Sequence, residues 1–179
     1  MSGIGFAQGG HEPFAAPGHW NDPDMLVVGK VGWGPNVHDT RLTPNEQITH
    51  ITLWSLQAAP LLIGADMARI DPFTIDLLGN RDVLAVDQDP MGKAASRVWR
   101  EGQLEVWSRP LSDGTTAVGL FNRGPLAAKV AVRWPDIGVT GSQPVRDLWQ
   151  QKDLGQSAGA FEATVPRHGA MLVKIGRQK

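Results

Sequence analysis

The sequence predicts an α/β region followed by an all-β region, and three features of the 179-residue chain support this division. Short apolar runs alternate with helix patterns up to about residue 94, as expected for parallel strands joined by crossover helices. From about Lys93 onward, turn signals separate segments that alternate between apolar and polar residues, as antiparallel strands do. The first region also has too few units to close a sheet on itself. We therefore predict one domain over residues 1–94 and a second over residues 95–179.

Two short apolar runs are the predicted strands of the first region. Met25–Val28 ends at Gly29, and Leu61–Gly64 is soon followed by Asp66. Neither run alternates in polarity, which is typical of parallel strands buried on both faces. Residues 29–42 lie between them, contain three glycines and a proline, and are predicted to form a loop.

Capping signals define two helices in the same region. Thr43 and Glu46 have the spacing of a capping box, and the helix that they begin is expected to run to about Ala59. This helix is apolar on several faces, which indicates that it packs against more than one neighbour. Asp71 is expected to cap a second, shorter helix over Phe73–Leu78.

The second region is predicted to be an antiparallel β domain. Its strand-like segments are Leu104–Trp107, Thr116–Phe121, Val130–Val132 and Ala170–Ile175, and Asp113-Gly114 is a hairpin turn signal. No helical pattern of useful length occurs among them. We expect this region to close its own core without help from the first.

The first region, by contrast, is expected to be incomplete. Two β/α units cannot close a barrel, which needs eight, so both strand edges and several helix faces would be left bare. The sequence therefore predicts a partner for these edges. The partner is either an N-terminal barrel portion or further copies of the chain.

Composition excludes several classes of function. Seventeen basic residues balance eighteen acidic ones without a Lys/Arg block, so neither nucleic acid nor a membrane surface is an expected partner. The longest apolar stretch, residues 58–65, is far shorter than the roughly 20 residues of a membrane span. The absence of cysteine excludes disulfides and thiol chemistry but does not fix the cellular compartment.

Histidine and tryptophan carry less information. The five histidines lack the spacing of metal ligands, and no cofactor motif is present, so we expect neither metal nor cofactor. Glu46 and His50 lie one helical turn apart and are expected to form a surface pair. Most of the seven tryptophans are expected in the core, although exposed indoles such as that of Trp33 also suit sugar rings.

The segment from His19 to Leu26 carries the strongest chemical signal, because it contains Asp22 and Asp24. Two carboxylates on one extended segment approach a substrate from the same side, so they are not expected to be the acid and nucleophile of a glycosidase. Asp22 is interpreted as bonding backbone groups around Pro23. Asp24 is expected to face an active site, since strand ends line the sites of barrels. Asp66 is expected to cap nearby backbone.

Several consecutive motifs resemble those of family 27 glycoside hydrolases, the α-galactosidase or melibiase type. Residues 17–26 resemble the seventh-strand motif, residues 53–64 the seventh helix and eighth strand, and residues 83–93 the exit from the barrel. Motifs similar to those of the family's C-terminal β domain are Glu105–Ser108, Leu120–Gly124 and Val165–Gly169. The resemblance covers nearly the whole chain.

The resemblance implies a (β/α)8 barrel, of which residues 1–94 would be the last two β/α units, followed by an antiparallel β-sandwich. It implies hydrolysis of terminal α-galactosyl residues with retention, through a covalent glycosyl-enzyme, by two aspartates at the ends of earlier strands. Neither of those motifs is present here. No catalytic residue is therefore assigned, and the chain alone is expected to be inactive.

By the same resemblance, Asp24 and Met25 match positions that line the sugar pocket, and Asp22 matches a supporting position beside it. Trp20, in the same motif, is the fourth predicted substrate contact. The sugar itself stays open, because the loop Val31–Arg41 departs from the compact family connection. Related enzymes with nearly the same frame act on α-N-acetylgalactosaminides or β-L-arabinopyranosides. A non-catalytic sugar-binding or assembly-dependent remnant is the alternative.

Overall fold

The computed structural model describes residues 1–176 of the chain. The helices are α1 (Ser2–Gly5), α2 (Pro44–Leu56), α3 (Pro72–Gly79) and α4 (Arg81–Asp87). The strands are β1 (Lys30–Val31), β2 (His38–Asp39), β3 (Ser96–Glu101), β4 (Leu104–Pro110), β5 (Thr116–Asn122), β6 (Ala128–Arg133), β7 (Ser142–Asp147), β8 (Lys152–Ala158), β9 (Ala160–Val165) and β10 (Gly169–Ile175). The order matches the predicted α/β region followed by an all-β region.

Helix α2 begins at the predicted capping box. The Glu46 N–H donates to Thr43 Oγ1 over 3.4 Å, and the Thr43 N–H donates to Glu46 Oε2 over 2.8 Å. These two bonds satisfy donors that the first helical turn leaves free. Both predicted helices of the region are thus present, since Asp71 Oδ1 accepts the Thr74 N–H and caps α3.

Helix α2 ends at Leu56, one turn before the predicted Ala59. Ala58 has φ +52°, its N–H donates to Ser55 O over 3.3 Å, and the Ala59 N–H donates to Trp54 O over 3.1 Å. This is the Schellman pattern of hydrogen bonds that closes many helices. Because alanine stands where glycine is usual, this ending could not be predicted from the sequence.

The two predicted strands of the first region are reduced to a single parallel bridge between Leu26 and Ile63. The Leu26 N–H donates to Leu62 O over 2.7 Å, and the Gly64 N–H donates to Leu26 O over 2.9 Å. The pairing and its direction agree with the prediction, but the regular strand length does not. Among residues 1–176, no further strand pairs with the outer edge of either segment, so the pairing is not extended into a larger parallel sheet.

Two short elements of the first region were not predicted. The loop over residues 29–42 contains the hairpin β1–β2, closed by an ion pair of 2.6 Å between Lys30 Nζ and Asp39 Oδ1. Trp33 in this loop is 84% exposed, as expected. Helix α4 forms where no helix was predicted, and its cap is the Asn80 side chain, which accepts two backbone N–H groups.

The second region is the predicted antiparallel β-sandwich. Its larger sheet has the strand order β3-β4-β5-β10-β7-β8, and its smaller sheet pairs β6 with β9. The Asp113–Gly114 turn joins β4 to β5, and Asp113 Oδ1 accepts the Thr115 N–H over 2.9 Å. Every pairing in both sheets is antiparallel.

The larger sheet has a buried core on each face. One face packs against the small sheet through Val106, Leu120, Val130, Val173 and neighbouring residues. The other face packs against α2 and its surroundings, through Trp107, Ala117, Phe121 and Leu172. The expectation that the second region closes its own core is therefore correct for one face only, because the first region covers the other.

The tryptophans are distributed as expected. Trp54, Trp107 and Trp134 are fully buried, and Trp99 and Trp149 pack against the two cores while partly buried. In the part of the chain that the structure describes, no helix has both the length and the apolar character that crossing a membrane requires.

Candidate functional site

Three of the four predicted substrate contacts form one turn before the Leu26–Ile63 bridge. Asp22 Oδ1 accepts the Asp24 N–H over 2.8 Å, and Asp24 Oδ1 accepts the Met25 N–H over 2.7 Å. Both carboxylates are exposed, while Pro23 between them is buried. The backbone bond of Asp22 confirms its interpretation as a residue that shapes the chain around Pro23.

A side chain of helix α2 donates a hydrogen bond to the backbone of Asp24. Asp24 has φ +77°, and its carbonyl oxygen accepts the Trp54 indole N–H over 2.7 Å. Trp54 was recognised from the sequence only as an apolar residue of the helix. The feature of the sequence that could have indicated this hydrogen bond is the indole N–H itself, because a buried tryptophan usually needs a hydrogen-bond acceptor.

Met25 joins this turn to the second apolar segment. Its side chain is 42% exposed and covers Gly64, where an added Cβ would lie 2.5 Å from Met25 Sδ. Glycine at position 64 is therefore required for the close approach of the two segments. The structure places Met25 beside the paired strands, with part of its surface free.

Asp66 is occupied locally. Its Oδ1 accepts the Ala68 N–H over 3.0 Å, and its Oδ2 lies 3.5 Å from Arg69 Nε. This confirms the predicted capping role. The Asp66 N–H donates to Lys30 O over 2.7 Å, so the residue also connects the strand end to the β1–β2 hairpin.

Trp20 lies apart from the other three predicted contacts. Its indole approaches Gly92, where an added Cβ would lie 2.9 Å from Trp20 Cη2. It lines a small cavity whose walls also include Pro17, Pro60 and residues 87–90. Asp22, Asp24 and Met25 do not line this cavity, so the structure separates Trp20 from them.

Buried Arg109 and half-buried Asp87 meet where the two regions join. Arg109 is fully buried, and its guanidinium donates to Ser55 O over 2.6 Å and to the backbone oxygen of Asp87 over 3.2 Å. Burial raises the pKa of Asp87 to about 7, although the nearby Arg109 charge opposes this rise. Asp87 Oδ1 is buried and accepts no hydrogen bond among the described residues.

The neighbouring Asp89 behaves differently. Its Oδ1 accepts the Met91 N–H over 3.0 Å, and its Oδ2 accepts both the N–H and the hydroxyl of Ser112, over 2.9 and 2.7 Å. Asp89 therefore shapes the turn and also bonds the second region, whereas Asp87 Oδ1 accepts no such bond among the described residues.

The predicted surface pair of Glu46 and His50 is wrong. Glu46 Oε1 lies 3.0 Å from His168 Nδ1, in the second region. His50 is buried and stacks on Trp54 with ring centroids 4.1 Å apart. Burial lowers the pKa of His50 to about 3, and the charge of the amino terminus contributes. In residues 1–176, no three His, Asp or Glu side chains gather closely enough to hold a metal ion.

A cavity of about 1160 Å³ lies elsewhere, between α3 and the second region. Phe73, Ile75, Trp149 and Met171 contribute apolar walls. None of the four predicted contacts lines it. The turn of Asp22, Asp24 and Met25 therefore lies on exposed surface, away from this cavity.

This turn is suited to binding rather than to bond cleavage by itself. Carboxylate oxygens accept hydrogen bonds from hydroxyl groups, and an exposed methionine offers an apolar surface. Asp22 and Asp24 are two residues apart on one turn and share their hydrogen bonds with its backbone. Two carboxylates so placed cannot flank a glycosidic bond from opposite faces, as catalysis requires.

Comparisons with known proteins agree with the observed architecture. The family model for α-galactosidase A matches residues 4–89, and that for the α-galactosidase C-terminal β-sandwich domain matches residues 101–175. Alpha-galactosidase 2 of Arabidopsis thaliana is 40% identical over 168 residues, which cover 93% of this chain and 40% of that protein. The chain therefore spans about two fifths of the length of this curated relative.

Solved structures give the same result. The α-galactosidase I of Mortierella vinacea superimposes with a TM-score of 0.81 and 36% identity, covering 90% of this chain and 40% of that one. A β-L-arabinopyranosidase of glycoside hydrolase family 27 from Geobacillus stearothermophilus gives 0.84 and 34%, with 89% and 38% covered. Since both of its regions match in the order that the relatives have, the chain belongs to the α-galactosidase family of glycoside hydrolases, family 27, and corresponds to the C-terminal portion of its members.

Proposed function

We propose that the chain is the sugar-lining, C-terminal part of a retaining hydrolase that removes terminal α-galactosyl residues. The observation that carries this proposal is the exposed turn of Asp22, Asp24 and Met25 at the parallel Leu26–Ile63 bridge. Barrel enzymes bind substrate at strand ends of this kind. The names of the curated relatives, which are α-galactosidases, supply the substrate class.

Each residue of the turn has a distinct proposed role. Asp24 accepts hydrogen bonds from sugar hydroxyls, and Met25 lies against an apolar part of the sugar ring. Asp22 supports Asp24 by accepting its backbone N–H. Trp20 remains a proposed substrate contact outside this group, since its indole is 45% exposed.

The catalytic nucleophile and the general acid are proposed to come from a barrel portion outside this chain. The 179-residue chain is therefore expected to hydrolyse an aryl α-galactoside no faster than buffer does. Release of the aryl alcohol, followed by absorbance, measures this directly. Turnover that survives repurification and disappears in Asp24→Asn would contradict the proposal, since it would assign catalysis to the Asp22 and Asp24 pair.

The binding role is tested in a chimera that joins the N-terminal portion of the Arabidopsis relative to this chain. In an active chimera, Asp24→Ala should lower kcat/KM about ten- to a hundredfold, the expected loss of a hydrogen bond to a charged group. Asp66→Ala is the matched control, because Asp66 is an aspartate at the other strand end that caps backbone. Equal losses in the two variants would refute the role of Asp24.

A second specificity is favoured by one observation, the similarity to the Geobacillus arabinopyranosidase. A second chimera with the N-terminal portion of that enzyme separates the two candidates. If each chimera keeps the specificity of its N-terminal portion, this chain supplies a pocket wall that both sugars can use. If both chimeras prefer one sugar, this chain selects it. Two folded but inactive chimeras would instead support a non-catalytic remnant.

A further inference from the structure

The backbone of Asp24 adopts a conformation that an aspartate does not favour. Its φ of +77° lies in the left-handed region, where a Cβ crowds the following carbonyl group. Two of its hydrogen bonds are local, one to Asp22 and one to Met25. Local bonds of this kind are compatible with several turn conformations. A further contact must therefore select the observed one.

Trp54 provides the only hydrogen bond among the described residues that reaches Asp24 from another element. Its indole ring cannot move easily, because it stacks on His50 and faces Gly5, where an added Cβ would lie 2.5 Å from Trp54 Cζ3. The ring is 1% exposed, so its N–H has no access to water as an alternative acceptor. The donor is thus held in place by contacts that do not involve the turn.

We infer that Trp54 is a positioning residue: its indole N–H fixes the left-handed backbone of Asp24, and thereby the direction in which the Asp24 carboxylate and Met25 face the sugar. The statement that these side chains face a sugar rests on the proposed function. The positioning itself rests only on the contact between α2 and the turn. Packing does not require this bond, because Trp134 is equally buried although its indole N–H has no acceptor among the described residues.

Amide hydrogen exchange on the full 179-residue chain tests the positioning. Trp54→Phe keeps an aromatic ring against His50 and Gly5 but removes the donor together with part of the ring volume, a loss of volume that the control below shares. We expect the amides of Met25 and Leu26 to exchange about three to ten times faster in this variant, as for the loss of one hydrogen bond. Trp149→Phe is the matched control, because it also removes an indole bond to α2, from Trp149 Nε1 to Thr52 Oγ1 over 2.8 Å.

The control decides between positioning and general destabilisation. If the two amides exchange no faster in Trp54→Phe than in Trp149→Phe, the inference is wrong. Should Trp54→Phe not fold, the unmodified protein still gives an answer. Its Trp54 indole proton should exchange at least about three times more slowly than that of Trp134, which is buried without an acceptor. Equal exchange rates would overturn the inference. An inactive chimera would leave these results intact and count only against the proposed function.

Discussion

The two regions of the chain differ in how many of their large apolar side chains are exposed. Of the twelve that are exposed among residues 1–176, ten lie in residues 1–94, and Leu126 and Leu154 lie in the β-sandwich. The antiparallel strands of the second region all find their partners within that region, three of the pairs through hairpins. Parallel strands need neighbours from further β/α units, so Leu62 and Ile63 remain 53% and 45% exposed. The difference shows which region depends on contacts outside itself.

The buried carboxylate and imidazole groups show a similar contrast. In the β-sandwich, the buried carboxylate of Glu105 lies 2.7 Å from Arg123 Nη1 and 3.4 Å from Arg97 Nη1, and it accepts the Trp107 indole N–H. In the first region, His50 and Asp87 have buried polar atoms without partners among the described residues. An unpartnered buried group costs free energy and titrates abnormally. The first region therefore carries most of the expected pH dependence.

The largest expected effect comes from separating the regions. Residues 95–179 alone would expose the sheet face formed by Trp107, Phe121 and Leu172. Each such side chain loses about 1.5 to 3 kcal/mol of burial, so the total approaches the whole stability of a small domain. We expect this piece to bind a hydrophobic dye and to melt without a sharp transition, in contrast to the full chain. A sharp melt without dye binding would show that the contact with α2 is dispensable.

A smaller change at the same contact should have a smaller effect. Gly119 faces α2, and an added Cβ would lie 2.5 Å from Leu56 Cδ1 and 2.6 Å from Phe121 Cε2. Gly119→Ala should therefore lower the free energy of unfolding by about 1 to 3 kcal/mol, as overpacking does. Gly79→Ala is the control, because no atom lies within 4 Å of the added Cβ there. Denaturant unfolding of both variants checks the difference, and equal stabilities would argue against a shared core.

Titration of the two unpartnered groups should change stability in opposite directions. The pKa of His50 is about 3 in the fold against about 6.5 when unfolded, so stability is lost as the pH falls through this window. The pKa of Asp87 is about 7 in the fold against 3.8 when unfolded, so stability is lost as the pH rises through that window. Each residue thus destabilises the fold at the pH where the other does so least.

Two variants separate these effects by thermal or denaturant unfolding at two pH values. His50→Phe should stabilise the chain by about 2 kcal/mol at pH 5 and by much less at pH 8. Asp87→Asn should stabilise it more at pH 8 than at pH 5, because at pH 8 the carboxylate is otherwise ionised despite its burial. Gains that do not depend on pH would show that packing, rather than titration, distinguishes these sites.

The contrast between the regions also explains what could be predicted from the sequence. Four of the eight β-sandwich strands (β4, β5, β6 and β10) and the capping box at Thr43 follow from local signals, and the structure contains them. Strands β3, β7, β8 and β9 were not predicted. The contact of His50 with Trp54, and that of Glu46 with His168, join residues through tertiary packing that helical spacing alone does not reveal. For the same reason the sequence indicated Asp24 but not the indole N–H of Trp54 that bonds it.

The smallest expected effect concerns the end of α2, where the sequence also failed to predict the structure. Ala58 adopts φ +52° in a Schellman ending, a position that glycine occupies without strain. Ala58→Gly should therefore stabilise the chain by about 0.5 to 1 kcal/mol, even though glycine in a helix interior destabilises. Ser55→Gly, three residues earlier in the same helix, should instead destabilise the chain, and calorimetric melts compare the two. If both variants destabilise equally, the backbone at position 58 is helical, and α2 continues to Ala59 as its sequence first indicated.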